Sequence, residues 1–181
     1  MYKQFIEKSH HKSLTVAPIA LLAMLLCTAP SAFAKKSDLQ EEILISADRT
    51  AGDLKNRIAS YIDDVIITQG SLKIHAELVQ VIEDEASDSE TYIAKGSPAI
   101  FEQLLEDGTP IKLEANEITY EPSINTITIS GNAKLSQEGS EVNGDKIIYN
   151  TLTEQLEAKS KPKERITTIL KPKTKDEVKD N

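Results

Sequence analysis

The sequence predicts an all-β fold built from short antiparallel strands. Along most of the chain, apolar residues alternate with polar ones at period two, as expected of a strand with one buried face. Turn-forming residues interrupt these runs about every 8 to 12 residues, a spacing typical of sandwiches, rolls and barrels. No stretch shows the apolar spacing of an amphipathic helix convincingly.

The first 34 residues have the composition of a secretory signal peptide. Three lysines precede an almost wholly apolar run at residues 14–27, and Ala32-Phe33-Ala34 forms a cleavage signal. The run is too short for the roughly 20 residues of a membrane-spanning helix. We therefore expect export from the cytoplasm, cleavage after Ala34, and one folded domain over residues 35–172, followed by a disordered charged tail at 173–181.

Composition limits what the exported domain can do. The chain has 29 acidic and 21 basic residues, a formal charge of −8, and so lacks the strongly basic balance of a nucleic-acid binder. Its single cysteine, Cys27, falls within the predicted signal peptide, which leaves no thiol for disulfides or nucleophilic catalysis. Seven basic residues against Glu164 alone mark residues 159–175 as a basic end to an acidic body. That end could be solvated or could contact an anionic partner.

The alternation of apolar and polar residues predicts the first strands. Residues 43–45 begin the pattern, and in residues 71–78 the even positions are apolar, which predicts Leu78 on the buried face and His75 on the surface. The acidic residues 83–90 predict a solvated hairpin loop.

Later strands are predicted by the same rule. Residues 98–105 place Ala99, Phe101 and Gln103 on one face, although a single helical turn also fits there. Further period-two runs occupy residues 127–135 and 166–170, the last of which Pro172 ends.

Two repeats run through the chain. A shift of 68 residues aligns Val65 with Ala133 among other pairs, which predicts a quasi-repeated architecture of two halves. A shorter unit consists of an apolar, a polar and a small residue followed by Asp48, Glu77, Asn116 or Asp145. We expect each such unit to end a strand in a turn, where the carboxylate or amide caps backbone donors. Successive units of this kind predict a quasi-solenoidal sheet with open ends.

No group of residues has the pattern of an active site. His75 is the one histidine beyond the predicted signal peptide and has no cysteine to pair with. Residues 83–90 lack the glycine and ligand spacing of a calcium loop, and the chain has neither a phosphate loop nor a nucleophile elbow. Paired carboxylates of a glycoside hydrolase stay open as an alternative. We expect no catalytic residues, no metal and no cofactor.

Six segments, taken in order, carry a resemblance. They are VIITQGSLKI at 65–74, GSPAIF at 96–101, DGTP at 107–110, ISGNA at 129–133, GDKIIY at 144–149 and RITTIL at 165–170. Their order and spacing are similar to those of the LptA/OstA-like family of periplasmic lipopolysaccharide-transport bridge proteins, over roughly residues 39–172. Asp63-Asp64 stands where the family's repeated strand turn has Gly-Asn.

The resemblance implies that residues 35–172 form an open, twisted β-jellyroll of about sixteen antiparallel strands. It also implies an apolar interior groove that binds the acyl chains of lipopolysaccharide. Such proteins associate head to tail with one another, and with similar jellyroll domains of an inner-membrane export component and an outer-membrane translocon. The lipid then passes from the inner to the outer membrane.

The resemblance also assigns residues to these roles. Its lipid contacts fall on Ile43, Phe101 and Tyr120, and the predicted groove also includes Ile45, Ile74, Ile129 and Leu135. The predicted joining strand contains Arg165, Ile166, Thr168 and Leu170. From the residues alone, core packing is the simpler explanation of the apolar positions. A structural adaptor that assembles by strand addition without holding lipid is the alternative function.

Overall fold

Ten strands make up the computed structural model, which describes residues 38–172. The strands are β1 (Leu44–Ser46), β2 (Arg49–Asp53), β3 (Ile58–Gln69), β4 (Leu72–Asp84), β5 (Ser89–Leu104), β6 (Pro110–Glu121), β7 (Thr126–Gln137), β8 (Ser140–Asn150), β9 (Leu156–Lys159) and β10 (Thr167–Ile169). Short 3₁₀ turns occupy Asp38–Gln40 and Pro122–Ile124. The all-β prediction is confirmed. The predicted signal peptide and C-terminal tail lie outside the described residues.

The strands form one open antiparallel sheet. Its order is β1-β3-β4-β5-β6-β7-β8-β10, with β2 also paired to β3 and β9 also paired to β8. Within residues 38–172, β1 and β2 pair on one side only, as do β9 and β10. We call β1 and β2 the N-terminal edge, and β9 and β10 the C-terminal edge.

A row of register shifts crosses the middle of the long strands. The shifts fall between Ile62 and Val65, His75 and Leu78, Lys95 and Ala99, Glu114 and Glu117, and Ser130 and Ala133. Extra residues at such β-bulges bend a strand and increase its twist. The row, which we call the fold line, divides the sheet into two wings.

Each long strand contributes one part to each wing. The first wing contains β1, β10 and residues 65–69, 72–76, 99–104, 110–115, 133–137 and 140–144. The second wing contains β2, β9 and residues 58–62, 78–84, 89–95, 117–121, 126–130 and 146–150. The wings face each other, because the ring of Phe101 in the first lies 6.2 Å from the ring of Tyr149 in the second. The hydrophobic core lies between them.

Two expectations about the architecture differ from the structure. The described residues form ten strands and not sixteen, because β3 to β8 each run through the fold line as one continuous strand although their halves belong to different wings. The two predicted halves are also not separate units in the described residues, since strand pairing continues unbroken from β4 through β5 to β6.

The short sequence units lie on the fold line, and the expectation that each ends a strand holds for the first, where β1 ends at Ser46 just before Asp48, but is wrong for the other three. Glu77 and Asp145 stand in mid-strand opposite the bulges at 63–64 and 131–132. Small residues occur both at strand ends and at β-bulges, so the sequence unit alone does not distinguish the two. Ala76 and Ala115, the small members of two units, are buried where the wings meet.

Candidate functional site

The inward-facing side chains of both wings form the candidate groove. Five predicted groove residues are at most 8% exposed: Ile74, Phe101, Tyr120, Ile129 and Leu135. Ile43 and Ile45 are partly buried and pack against this core at the N-terminal edge. The fold thus brings the predicted groove residues into one interior, whose centre is filled by the chain's own side chains.

Open space is found at the N-terminal end of the interior. A cavity of about 330 Å³ is lined by Ile43, Tyr92 and Pro122, among others. A second, of about 420 Å³, is lined by Ala59 and Val81, and both cavities include Glu83 and Glu90. The walls of both cavities are mixed, because apolar side chains stand beside Glu83, Glu90 and other charged or hydroxyl groups.

The acidic run contributes to the rim of these cavities. It forms the hairpin turn between β4 and β5, as predicted, and Glu83 pairs with Glu90 across the two strands. Arg57 binds Glu83 at 2.8 Å and Glu85 at 3.0 Å, which reduces the repulsion between the neighbouring carboxylates.

Polar side chains bridge the two wings far from the fold line. The Tyr120 hydroxyl donates to Gln69 Oε1 at 2.6 Å, and the Tyr149 hydroxyl donates to Gln103 Oε1 at 3.4 Å. Burial raises the pKa of Tyr120 to about 12, because the phenolate would be poorly solvated there. Burial also raises the pKa of Tyr149.

Sequence reasoning did not assign a bridging role to the two glutamines. A signal was present, because Gln69, Gln103 and Gln137 stand 34 residues apart, each at or next to the end of a first-wing strand. A polar residue repeated at an inward position indicates a partner across the interior.

The hairpin between β7 and β8 determines which backbone groups the C-terminal edge presents. Gln137 pairs with Ser140 across a two-residue turn with positive φ at both positions, which makes them a hydrogen-bonded pair. The backbone N–H and C=O groups of successive residues point to opposite sides of a strand. Those of the odd-numbered residues of β8 therefore point toward β10, where they meet Thr167 and Ile169. Thr168 lies between these two, so its N–H and C=O face the open edge.

The N-terminal edge is built in the same way. Gln69 and Leu72 pair across the two-residue turn that begins with Gly70. The backbone N–H and C=O groups of the even-numbered residues of β3 therefore point toward Leu44 and Ser46. Ile45 lies between these two and directs its own N–H and C=O to the open edge.

The predicted joining strand is longer than the observed one. β10 covers only residues 167–169, and Arg165 and Leu170 flank it as exposed side chains. Ile166 is partly buried, and its Cδ1 lies 2.9 Å from where a Cβ on Gly144 would stand. The absence of a side chain on Gly144 thus leaves room for Ile166 at the C-terminal end of the interior.

The side chains considered for catalysis or metal binding are His75 and the carboxylates. His75 is exposed and its Nε2 lies 2.9 Å from Asp64 Oδ1 on the outer surface. Among residues 38–172, no three or more His, Cys, Asp or Glu side chains are grouped to hold a metal ion. The same residues include no helix that is long and apolar enough to cross a membrane.

Comparison with known proteins gives consistent matches over this fold. The model of the family "LptA/(LptD N-terminal domain) LPS transport protein" matches residues 44–155. The lipopolysaccharide export system protein LptA of Haemophilus influenzae is 35% identical over 156 residues, covering 85% of this chain and 91% of that protein. LptA of Escherichia coli K12 is 32% identical over 155 residues, covering 85% of this chain and 84% of that protein.

A solved structure agrees with these sequence matches. The crystal structure of LptH, the LptA homologous periplasmic component of the conserved lipopolysaccharide transport device from Pseudomonas aeruginosa, has a TM-score of 0.68 and 30% sequence identity. The match covers 75% of this chain and 99% of that chain. The resemblance inferred from sequence is confirmed, and the chain belongs to the LptA/(LptD N-terminal domain) family of LPS transport proteins.

Proposed function

We propose that this protein is a periplasmic carrier and bridge for lipopolysaccharide. It binds the acyl chains of lipid A in the groove between the wings and passes the lipid from the inner toward the outer membrane. The observation that carries the proposal is a sheet whose apolar inner faces enclose an interior while both of its edges stay unpaired within residues 38–172. The names of the LptA and LptH relatives support the same role.

Acyl chains enter the groove through the cavities at its N-terminal end. There, Ile43 and Tyr92 already line open space, whereas Phe101 and Tyr149 fill the centre. When an acyl chain moves deeper into the groove, contacts between side chains of the two wings are replaced by contacts with the lipid. Each methylene buried from water contributes about 0.8 kcal/mol, so binding is favourable while the contacts that the chain gives up keep it reversible.

Assembly proceeds head to tail through the two edges. The main path of the sheet contains eight alternating strands, an even number, so a second copy in the same orientation presents its β1 antiparallel to β10. Ile45 and Thr168 then offer free backbone groups to each other, which is β-strand addition. Similar jellyroll domains of an inner-membrane export component and an outer-membrane translocon bind the two ends by the same contacts. The protein acts as a carrier and not as an enzyme.

Photo-crosslinking tests the lipid path. A photo-crosslinking residue replaces Phe101, which is buried and faces inward, and in a matched control it replaces Glu102, which is exposed on the outer face of the same strand. After irradiation of cells, we expect lipopolysaccharide adducts at position 101 and none at position 102. Equal labelling of the two positions, or no adduct at 101 or at Tyr120, would refute the proposed groove.

The filled centre of the interior favours one alternative, a structural adaptor that assembles by strand addition and holds no lipid. Phe101 is 0% exposed and packs on the ring of Tyr149, so that depth of the interior has no vacant space. Loss of lipid adducts in a protein that still forms end-to-end complexes would support the adaptor.

A further inference from the structure

Residues 38–43, which we call the strap, turn inward before β1 begins. Gln69, at the end of β3, is 5% exposed and points into the interior. Its Nε2 donates to the main-chain oxygens of Leu39 at 3.4 Å and Glu41 at 3.1 Å. The strap therefore covers the inner side of the first wing at the N-terminal end of the groove.

The first residue of the strap is fixed to the turn between β3 and β4. Asp38 is 6% exposed and accepts a hydrogen bond from the Ser71 hydroxyl. A Cβ on Gly70 would lie 2.8 Å from Asp38 Cα, closer than real Cβ atoms approach other atoms. The absence of a side chain at residue 70 is therefore what allows the strap to lie against the turn.

The strap is also connected to the second wing. The amide that holds it, Gln69, accepts the hydrogen bond of Tyr120 through its other atom, Oε1, at 2.6 Å. At the far end of the strap, Ile43 lines the smaller cavity, of about 330 Å³, together with Tyr92 of the second wing and Pro122, which follows that wing's β6. One side chain thus joins the strap, the first wing and the second wing.

We infer that the strap is a lid over the N-terminal mouth of the groove and that Gln69 is the positioning residue that couples the lid to the spacing of the wings. An acyl chain enters when the strap lifts and the bond between Gln69 and Tyr120 breaks. The polar groups exposed in this way form hydrogen bonds with water. The net contribution of the broken hydrogen bonds to the stability of the closed lid is therefore modest, and the lid can open. This inference rests on the proposed lipid binding.

A pair of glycine variants separates the lid from general strain. Gly70→Ala introduces a Cβ into the strap at a position with φ of 59°. Gly108→Ala also places an alanine at positive φ, 90°, in a turn where a Cβ would meet nothing within 4 Å. Hydrogen exchange of residues 38–46 and of residues 65–69 is followed in wild type and both variants, with and without fluorescent lipopolysaccharide, and binding is measured in parallel.

We expect lipopolysaccharide to increase exchange in the strap of the wild type while residues 65–69 stay protected. Gly70→Ala should show the faster strap exchange without lipid and should load lipid several-fold faster, whereas Gly108→Ala should behave as wild type. Lipid binding that leaves the strap as protected as before overturns the lid alone, since lipid binding itself would stand. Binding by Gly70→Ala but not by wild type supports the lid, and no binding by any of the three overturns both the lid and the carrier proposal.

Discussion

Among the individual residues, the buried glutamines and tyrosines contribute something that apolar packing cannot. An apolar core tolerates sliding of one wing over the other, because dispersion contacts have little directional preference. Buried hydroxyl and amide groups must instead be paired, and the cost of leaving them unpaired fixes their positions. The bond from Tyr120 to Gln69 therefore aligns β6 of the second wing with β3 of the first.

The buried tyrosines predict loss of stability at alkaline pH. The folded pKa of Tyr120, about 12, lies above the usual 10.0, so at pH between these values the folded state holds a proton that the unfolded state releases. The corresponding stability is fully present below pH 10 and is lost as the pH rises toward 12, by roughly 2 to 3 kcal/mol from this residue.

Urea unfolding at a series of pH values measures this loss. We expect Tyr120→Phe to be about 1 kcal/mol less stable than wild type at neutral pH, because it lacks the hydrogen bond to Gln69. It should also lose less stability in the alkaline range, although Tyr149, whose pKa burial also raises, still contributes there. Parallel pH profiles for the two proteins would contradict the assignment.

Sequence alternation identified the inward apolar residues but not their polar partners. Phe101 and Ile129 are buried on the faces that their parity predicts. Gln69 has the same inward parity, yet its role depends on Tyr120, 51 residues away and on the other wing. No local pattern specifies which two strands the fold line brings opposite each other.

Bulges determine how far alternation can be trusted within an element. Leu72, Ile74 and Ala76 are buried as predicted, but beyond the register shift the buried residue is Val79, and Leu78 is only partly buried. A bulge changes which parity faces inward, so an error at one position moves all later residues of a strand to the wrong face.

The pair Asp63-Asp64 shows that the bulge does not depend on glycine. Both residues have positive φ, at 66° and 46°, as do Gly131 and Asn132 at the corresponding bulge of β7. Aspartate and asparagine tolerate this left-handed conformation better than most residues. Arg49 adds support by binding Asp63 Oδ2 at 2.6 Å. The departure from the family's Gly-Asn therefore preserves the bend.

The C-terminal edge strand supports a test of strand addition. Thr168→Pro removes the N–H that faces the open edge, while the neighbouring residues Thr167 and Ile169 keep the groups that face β8. We expect the variant to fold as wild type and to lose end-to-end association in analytical ultracentrifugation. Thr168→Ala keeps the N–H and should associate normally. Unchanged association of the proline variant would show that copies do not join through β10.

Over the whole molecule, charge is distributed unevenly between the two edges. Residues 38–57, around the N-terminal edge, contain five acidic and three basic side chains. Residues 156–171, around the C-terminal edge, contain five basic and two acidic ones. Opposite charge at the two ends of a head-to-tail assembly favours the correct orientation, because joining two like ends brings like charges together.

Association should therefore weaken as salt is added. Raising the salt from about 0.1 M to about 1 M shortens the Debye length from about 10 Å to about 3 Å and screens contacts between exposed charges. We expect Arg165→Gln, which removes a charge beside β10, to weaken association by a factor of about 1.4 to 5, since exposed ion pairs contribute about 0.2 to 1 kcal/mol. Lys73→Gln removes the same charge from the exposed face of β4, the third of the eight strands on the main path, and should have a smaller effect. Association that is insensitive to salt and equal in the two variants would mean that backbone pairing alone, without charge, selects the orientation of the copies.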